Sequence, residues 1–214
     1  MNLDRPVPPI VTHEIQLWTL NLVHKVEALP GLRSVLSVDE QTRANRFHRP
    51  VDRQYFMIVH ALTRLVLAAH LKTRPQDLVF QIGPFGKPRV WGSGLEFNLS
   101  RSRGFALLAV AWDRQVGVDL EFVQCLPELD LIAAQRFSED ERRELSAAGE
   151  QRRDLFFTFW TRHEALLKAC GMGLSHHKVC QAGTWSYRNM DVIKGYSAAV
   201  AAQGSDWFVT LQNG

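Results

Sequence analysis

The stretch SEDERREL, residues 138–145, places a serine three positions before a glutamate at the predicted start of a helix. In such a capping box the serine hydroxyl and the glutamate carboxylate each accept a backbone N–H at the helix start. The same arrangement occurs in SVDE, residues 37–40, and a predicted helix continues from there to Phe47. The chain therefore begins a capped helix twice, once in each half.

The segments around the two capping boxes follow a similar order. Short predicted strands surround a pair of helices in each half, with strands at residues 12–20 and 95–112, and again at 116–123, 183–188, 196–203 and 207–212. The similarity lies in the order of elements and not in a sequence repeat. Because no linker longer than a loop separates the halves, we predict an α+β fold of two packed halves, residues 1–112 and 113–214.

The composition is that of an ordinary globular protein, with 46% hydrophobic and 22% charged residues in 214. The longest apolar run, Phe105–Trp112, is far shorter than a membrane span, and the first ten residues contain no apolar core of a secretory signal. The three cysteines, at positions 125, 170 and 180, have no metal-binding spacing. We therefore expect a cytoplasmic protein with reduced thiols and no membrane partner.

Basic residues are concentrated in two segments although the net charge is only +3. The first segment holds Arg43, Arg46, His48, Arg49 and Arg53, and the second holds Lys87, Arg89, Arg101 and Arg103. Such clusters suit phosphates or an acidic protein partner, or are simply solvated surfaces. No arginine-rich tail occurs, and aromatic residues do not interleave with the basic ones, so we expect no nucleic-acid partner.

Two carboxylates share one face of the predicted strand VGVDLEFV, residues 116–123. Asp119 and Glu121 alternate with Val118, Leu120 and Phe122, so the acidic and apolar side chains point to opposite faces. The pattern is typical of an exposed strand, and it also suits a hard cation such as Mg²⁺, which prefers oxygen ligands.

The stretch WTRHEALLKACGMGL, residues 160–174, predicts a helix that ends at glycines. Glu164 and Lys168 are one turn apart, which allows either a helix ion pair or a metal and phosphate site. The segments FGKP, residues 85–88, and NLSRS, residues 98–102, are by themselves a turn and a loop. In the second of these, Ser100 and Arg101 offer donors to phosphate oxygens.

Taken in order, FGKP, NLSRS, VGVDLE, RFSEDE and FWTRHEALLKACGMGL resemble the signature series of the 4′-phosphopantetheinyl transferases. The chain is more similar to the surfactin-synthetase-activating type than to the shorter holo-acyl-carrier-protein synthases, and the resemblance runs from about Ser37 to Leu174. It implies a monomeric pseudo-dimer, with two similar α+β halves in one chain and the metal and catalytic motifs in the second half.

The resemblance implies transfer of the phosphopantetheine arm of coenzyme A to a serine of an acyl or peptidyl carrier protein, with release of 3′,5′-ADP. It assigns Mg²⁺ to Asp119, Glu121 and Glu164, and phosphate contacts to Lys168. Either Glu164 or a water on the metal takes the serine proton. The resemblance also implies three sets of contacts with coenzyme A. Arg43 and Arg53 would contact the 3′-phosphate, and the turn of Gly86, Lys87 and Pro88 would contact adenine, largely through backbone atoms. Ser100, Arg101 and Lys168 would contact phosphate.

Two residues depart from the family pattern. Arg101 stands where the family usually has histidine, and it stays charged, so it donates to phosphate but accepts no proton. His163 stands where the family usually has lysine, directly before Glu164, which removes a fixed charge near the pyrophosphate or turns the ring toward the core. These departures motivate an alternative function, a non-catalytic protein that binds coenzyme A or a carrier protein. For the enzyme, we expect Glu164→Gln and Lys168→Ala to remove most turnover at little cost in stability.

Overall fold

The computed structural model describes residues 6–171 and 185–213 and has a mixed α+β fold, as predicted. The strands are β1 (Glu14–Asn21), β2 (Phe80–Ile82), β3 (Pro88–Val90), β4 (Leu95–Ser102), β5 (Phe105–Trp112), β6 (Val116–Phe122), β7 (Trp185–Asn189), β8 (Tyr196–Gln203) and β9 (Phe208–Asn213). The α-helices are α1 (Leu29–Arg33), α2 (Val38–Ala44), α3 (Pro50–Leu71), α4 (Leu129–Arg136), α5 (Glu139–Ala147) and α6 (Arg152–Cys170). Short 3₁₀ turns at Val23–Ala28, Pro75–Asp77 and Gly149–Gln151 connect them.

The described residues form a four-stranded sheet, a three-stranded sheet and a two-stranded hairpin. One sheet has the order β4-β5-β1-β9 and the other has the order β6-β8-β7, while β2 and β3 form a separate hairpin. In the first sheet β1 and β4 each pair antiparallel with β5. In the second sheet β6 and β7 each pair antiparallel with β8. The strand β9 crosses to the first half and runs parallel to β1. Sequence periodicity had predicted β9 as a strand but not its place in the first sheet.

The two sheets pack face to face. In β5, Leu107 and Ala109 point into a core shared with Val118 of β6 and Val200 of β8. The alternate residues of β5 point to the opposite face, where α3 covers the first sheet. The outer face of the second sheet is covered by α6 through small residues. Because side chains alternate along a strand, the acidic pair of β6 lies on the face toward α6.

The core helix α3 accounts for the most apolar stretch of the chain. Its 22 residues are long and apolar enough to cross a membrane by length and composition alone, but 61% of the relevant window is buried inside the protein. Pro50 stands at its first turn, where a missing N–H costs nothing. The helix α3 therefore packs against the first sheet as a core helix.

Both predicted capping boxes are confirmed. The Ser37 hydroxyl accepts from Glu40 N at 3.2 Å, and the Glu40 carboxylate accepts from Ser37 N at 2.9 Å. Ser138 and Glu141 repeat the pair at 3.2 and 2.8 Å. The helices α2 and α5 thus begin with the same local chemistry.

Glu40 does more than cap its helix, because it also forms a buried ion pair. Its carboxylate lies 2.6 Å from Arg64 Nε and 3.3 Å from His60 Nδ1. Burial raises the pKa of Glu40, but the hydrogen bonds with His60, Ser37 and Arg64 outweigh that cost and lower the pKa to about 2 from 4.5. The carboxylate therefore contributes stability above its unfolded pKa.

We expect Glu40→Gln to lower the free energy of unfolding at neutral pH by about 3 kcal/mol, since one pKa unit corresponds to about 1.4 kcal/mol. The folded pKa is depressed, so this contribution is present above pH 4.5 and is lost as the pH falls toward about 2. Urea unfolding of both proteins across this range measures it. A difference between the two proteins that stays constant as the pH falls would contradict the assignment.

The cysteine expectation is only partly correct. Cys125 is free and exposed, whereas Cys170 is disulfide-bonded, so the expectation of reduced thiols is wrong at that position. Cys180 lies outside the described residues, as do Gly173 and Leu174 of the predicted glycine turn. Gly171 is described and caps α6 in the left-handed conformation, with φ of 65°.

Candidate active site

The candidate site lies where β4 of the first sheet meets β6 of the second. Here side chains replace the usual backbone ladder: Asn98 Oδ1 accepts from Val118 N at 2.9 Å, Ser100 Oγ from Leu120 N at 3.2 Å, and Ser102 Oγ from Phe122 N at 3.1 Å. We call these three hydrogen bonds the side-chain ladder. It fixes β6 against the first half at the point where β6 carries its acidic residues.

Asp119, Ser100 and Lys168 form a compact cluster beside the side-chain ladder. Lys168 Nζ lies 2.6 Å from Asp119 Oδ1 and 3.0 Å from Ser100 Oγ, and Ser100 Oγ donates to Asp119 Oδ1 at 2.9 Å. Asp119 is only 2% exposed, and its second oxygen, Oδ2, has no hydrogen-bond partner among the residues that the structure describes. A buried carboxylate oxygen without a hydrogen-bond donor destabilises the fold unless a ligand or an ion interacts with that oxygen.

Two further carboxylates surround this cluster. Burial and the negative charge of Asp119 raise the pKa of Glu121, which also accepts from Ser102 Oγ at 3.3 Å. Burial and the charge of Asp119 likewise raise the pKa of Glu164 on α6. The three predicted acidic residues therefore come close enough to repel one another, which is the electrostatic setting that a cation relieves.

Glu164 and Lys168 do not form the helix ion pair that their spacing allowed. Among the ion pairs of residues 6–171 and 185–213, Lys168 joins Asp119 and not Glu164. The glutamate therefore stays without a salt bridge at short range, while the ammonium crosses from α6 to β6. Of the two alternatives that the spacing allowed, the helix ion pair is therefore wrong, and the metal and phosphate site stays a prediction.

The helix α6 reaches β6 closely because Gly117 leaves room for it. A Cβ built on Gly117 would lie 2.0 Å from Ala165 O and 2.3 Å from Ala169 N. Ala165 and Ala169 also pack on Ala199 and Ala201 of β8. The contact of backbone against backbone sets the distance between the helix that carries Glu164 and Lys168 and the strand that carries Asp119.

The turn of Gly86, Lys87 and Pro88 divides between two environments. Gly86 and Pro88 line a cavity of about 730 Å³, together with Arg43 and Phe80. The Lys87 side chain instead leaves this cavity, and its ammonium donates to Val116 O and Ala169 O at 2.9 Å each. The structure thus brings Arg43 together with the turn, and it separates the Lys87 ammonium from the cavity.

The other predicted arginines lie apart from that cavity. Arg53 lines a separate concavity with Arg33 and Met57. Arg101 is exposed and lines a third concavity with Arg49 and Arg103, next to Gly104 at the end of the β4–β5 hairpin. The structure therefore does not bring Arg43, Arg53 and Arg101 into a single group.

His163 forms its hydrogen bond with α5. Its Nε2 lies 2.8 Å from Glu141 Oε1, and its ring packs on Phe137 at 5.3 Å between centroids. Burial raises the pKa of Glu141, but hydrogen bonds with His163 and Ser138 outweigh burial and lower it. The histidine that replaces the usual lysine of the family thus connects α6 to the N-terminal end of α5.

Sequence reasoning did not identify the structural role of Asn98 and Ser102, nor that of Gly117. A signal was available for the first two, because Asn98, Ser100 and Ser102 alternate at strand spacing and so point to one face. Gly117 stands inside a strand pattern, where an isolated glycine often marks a close backbone approach. The partner that approaches follows only from the structure.

The donor set fits a hard cation although it is not a finished metal cluster. Within the described part of the chain, no group of three or more histidine, cysteine, aspartate and glutamate side chains is arranged to hold a metal ion. The unpartnered Oδ2 of Asp119 nevertheless lies among carboxylates, and Mg²⁺ prefers such ligands with waters and substrate phosphates completing its shell. The residues present therefore fit Mg²⁺ as part of a shell that a substrate completes.

Comparison with known proteins identifies the family of this chain. The sequence model of the 4′-phosphopantetheinyl transferase superfamily matches residues 115–203, which contain all three carboxylates. The 4′-phosphopantetheinyl transferase HetI of Nostoc is 34% identical over 223 residues, which covers 94% of each chain. This chain belongs to the 4′-phosphopantetheinyl transferase superfamily. The resemblance read from the sequence is confirmed.

Bacillus relatives agree with the surfactin-synthetase-activating type within this superfamily. The 4′-phosphopantetheinyl transferase psf-1 of Bacillus pumilus is 30% identical over 165 residues, covering 76% of this chain and 69% of the relative. A 4′-phosphopantetheinyl transferase of Bacillus subtilis is 27% identical over 146 residues, covering 67% and 64%. The superfamily transferases thus match this chain well beyond the carboxylate motifs.

Proposed function

We propose that this protein transfers the 4′-phosphopantetheine arm of coenzyme A to a serine of an acyl or peptidyl carrier protein and releases 3′,5′-ADP. The cluster of Asp119, Ser100 and Lys168, with one carboxylate oxygen unpartnered and Glu121 and Glu164 beside it, is the observation that carries the proposal. Membership of the superfamily supports it.

The chemistry needs a proton acceptor and charge neutralisation. The carrier serine Oγ forms a bond to the phosphorus that bears the pantetheine arm, and the bond from that phosphorus to the oxygen of 3′,5′-ADP breaks. Glu164, on α6 beside Asp119, accepts the serine proton as the general base. Lys168 neutralises charge on the departing phosphate.

Asp119, Glu121 and Glu164 would hold Mg²⁺ in this reaction. When bound, the ion neutralises the pyrophosphate, which is the main requirement of phosphoryl transfer. Gly86, Pro88 and Arg43 would line the site of the nucleotide through the cavity of about 730 Å³. Arg101, with Arg49 and Arg103, offers a separate cationic surface for phosphate at the end of the β4–β5 hairpin.

We also propose that residues 1–112 and 113–214 are two similar halves of a pseudo-dimer that acts as a monomer. The matching strand orders β1-β5-β4 and β6-β8-β7 support the similarity, as do the two capping boxes. Ser100 from the first half and Asp119 and Lys168 from the second meet within one chain, so the site needs no second subunit.

A carrier panel tests the function directly. The protein is incubated with coenzyme A, Mg²⁺ and unmodified acyl and peptidyl carrier proteins, and each carrier is weighed by mass spectrometry. A mass gain of one phosphopantetheine arm is expected on at least one carrier. Binding of coenzyme A in calorimetry without any mass gain on any carrier would favour the non-catalytic alternative.

Glu164→Gln separates the proton acceptor from the fold. We expect turnover to fall by about 100- to 10,000-fold, the usual contribution of a general base. The amide keeps the size of the side chain and removes one of three repelling charges, so the unfolding midpoint should not decrease. Transfer rates and thermal unfolding of the two proteins measure both effects. Near-normal turnover in this variant would exclude Glu164 as the base.

A further inference from the structure

Lys87 contacts the two elements that carry the carboxylates rather than the cavity that its turn lines. Its ammonium donates to Val116 O, at the first residue of β6, and to Ala169 O, in the last turn of α6, both at 2.9 Å. Val116 stands three positions before Asp119, and Ala169 directly follows Lys168. One side chain therefore joins the turn, the strand and the helix of the candidate active site.

The location is electrostatically favourable for a cation. The last carbonyls of a helix have no intrahelical partner and carry the negative end of the helix dipole. The Lys87 stem also packs against the end of α6, with Cδ 3.4 Å from the position of a Cβ built on Gly171. The turn itself is closed by Gly83 N donating to Lys87 O at 2.8 Å, so it transmits the position of Lys87 to Gly86 and Pro88.

We propose that Lys87 is a positioning residue for transfer, whose ammonium holds the turn of Gly86 and Pro88 at a fixed place relative to Asp119 and Lys168. This inference rests on the proposed function. It differs from a direct contact with coenzyme A, because the hydrogen bonds that the ammonium makes with the described residues go to protein backbone. Its effect is on the geometry of bound reactants and hence on kcat.

The charges around Lys87 make the role testable by pH. Burial lowers the pKa of Lys87 to about 8, while Glu96 of β4 raises it and Arg89 of β3 lowers it. From β6 and α6 the ammonium meets only backbone carbonyls at hydrogen-bond distance. Above this pH the side chain becomes an uncharged amine, which is a weaker donor than an ammonium.

The experiment compares the full-length protein with Lys87→Arg, Lys87→Met and a control, Lys194→Met, which removes an exposed lysine. The kcat at saturating coenzyme A and the KM for coenzyme A are measured from pH 6.5 to 9.5. Lys87→Met should lower kcat by about 10- to 100-fold at neutral pH, since small displacements of reacting groups cost factors of this size. The control should equal the wild type.

Wild-type kcat should fall as the pH rises through about 8, and Lys87→Arg should remove this decrease because its guanidinium stays charged. The free energy of unfolding of the wild type should instead rise with pH. The folded pKa is depressed below the unfolded value of 10.5, so the wild type gains stability relative to Lys87→Arg between about pH 8 and 10.5. Thermal unfolding across this range measures that difference, and a simple loss of structure would lower both quantities together.

Two results would overturn the inference. Lys87→Met that raises only KM for coenzyme A would make Lys87 a ligand contact, and an alkaline decrease that persists in Lys87→Arg would belong to another group. If circular dichroism shows that Lys87→Met does not fold, Lys87→Arg tests the inference alone. A folded Lys87→Arg protein whose kcat does not decrease at alkaline pH supports it. An inactive wild type would instead contradict the proposed function, so the two failures are distinguishable.

Discussion

Gly117→Ala is expected to abolish most of the transfer activity and to destabilise the protein. The new Cβ would lie 2.0 Å from Ala165 O and 2.3 Å from Ala169 N, and both are helix backbone atoms that cannot rotate away. The helix α6 must therefore shift from β6. Overpacking of this kind costs about 3 kcal/mol at its upper range.

The loss of activity follows from what α6 carries. A shift of α6 moves Glu164 and Lys168 relative to Asp119, and a displacement of about 1 Å at a reacting centre can cost about 100-fold in rate. Urea unfolding and the transfer assay measure the two effects. Gly31→Ala is the matched control, because a Cβ at Gly31 meets nothing within 4 Å. A Gly117→Ala protein with wild-type turnover would contradict the close contact of α6 and β6.

Lys168→Met is expected to lower both turnover and stability, in contrast to the expectation that truncation at this helix face costs little. Lys168 Nζ pairs at 2.6 Å with the Asp119 carboxylate, whose side chain is only 3% exposed. Removing one partner of a buried pair leaves an uncompensated charge, which costs about 3–5 kcal/mol. Turnover should fall by about 100- to 1,000-fold, as for the loss of one preorganised electrostatic group.

A double variant separates the two effects of Lys168. Asp119→Asn combined with Lys168→Met removes both charges, so stability should recover toward the wild type while turnover stays low. Urea unfolding gives the coupling free energy between the two positions, and the transfer assay gives the activity. Equal stability of Lys168→Met and the wild type would show that the pair contributes nothing to the fold.

The secondary structure was largely predictable because local chemistry determines it. Two capping boxes predict the starts of two helices from residues only three positions apart, Ser37 with Glu40 and Ser138 with Glu141. Alternation along residues 116–122 placed Asp119 on the face opposite to Val118, and the structure has Val118 in the core and Asp119 toward α6. Such features depend on a few neighbouring residues and are readable from sequence.

The tertiary connections were not predictable, because they join residues far apart in the chain. Nothing near Lys87 indicates that its ammonium binds carbonyls at positions 116 and 169 instead of a ligand. Ser100 suggested a phosphate donor, whereas its hydroxyl is already engaged by Leu120 N, Asp119 and Lys168. The spacing of Glu164 and Lys168 equally allowed an ion pair, and only the position of Asp119 decides against it.

The return of β9 to the first sheet has a consequence for how the chain folds during synthesis. β1 can pair with β5 as soon as residue 112 has been made, but its other edge stays unpaired until Phe208–Asn213 have also been made. Pairings between such distant segments form slowly, and an unpaired strand edge is prone to pair with other chains in the meantime. The first sheet therefore leaves the ribosome with an open edge at β1, which closes only after β9 has been synthesised.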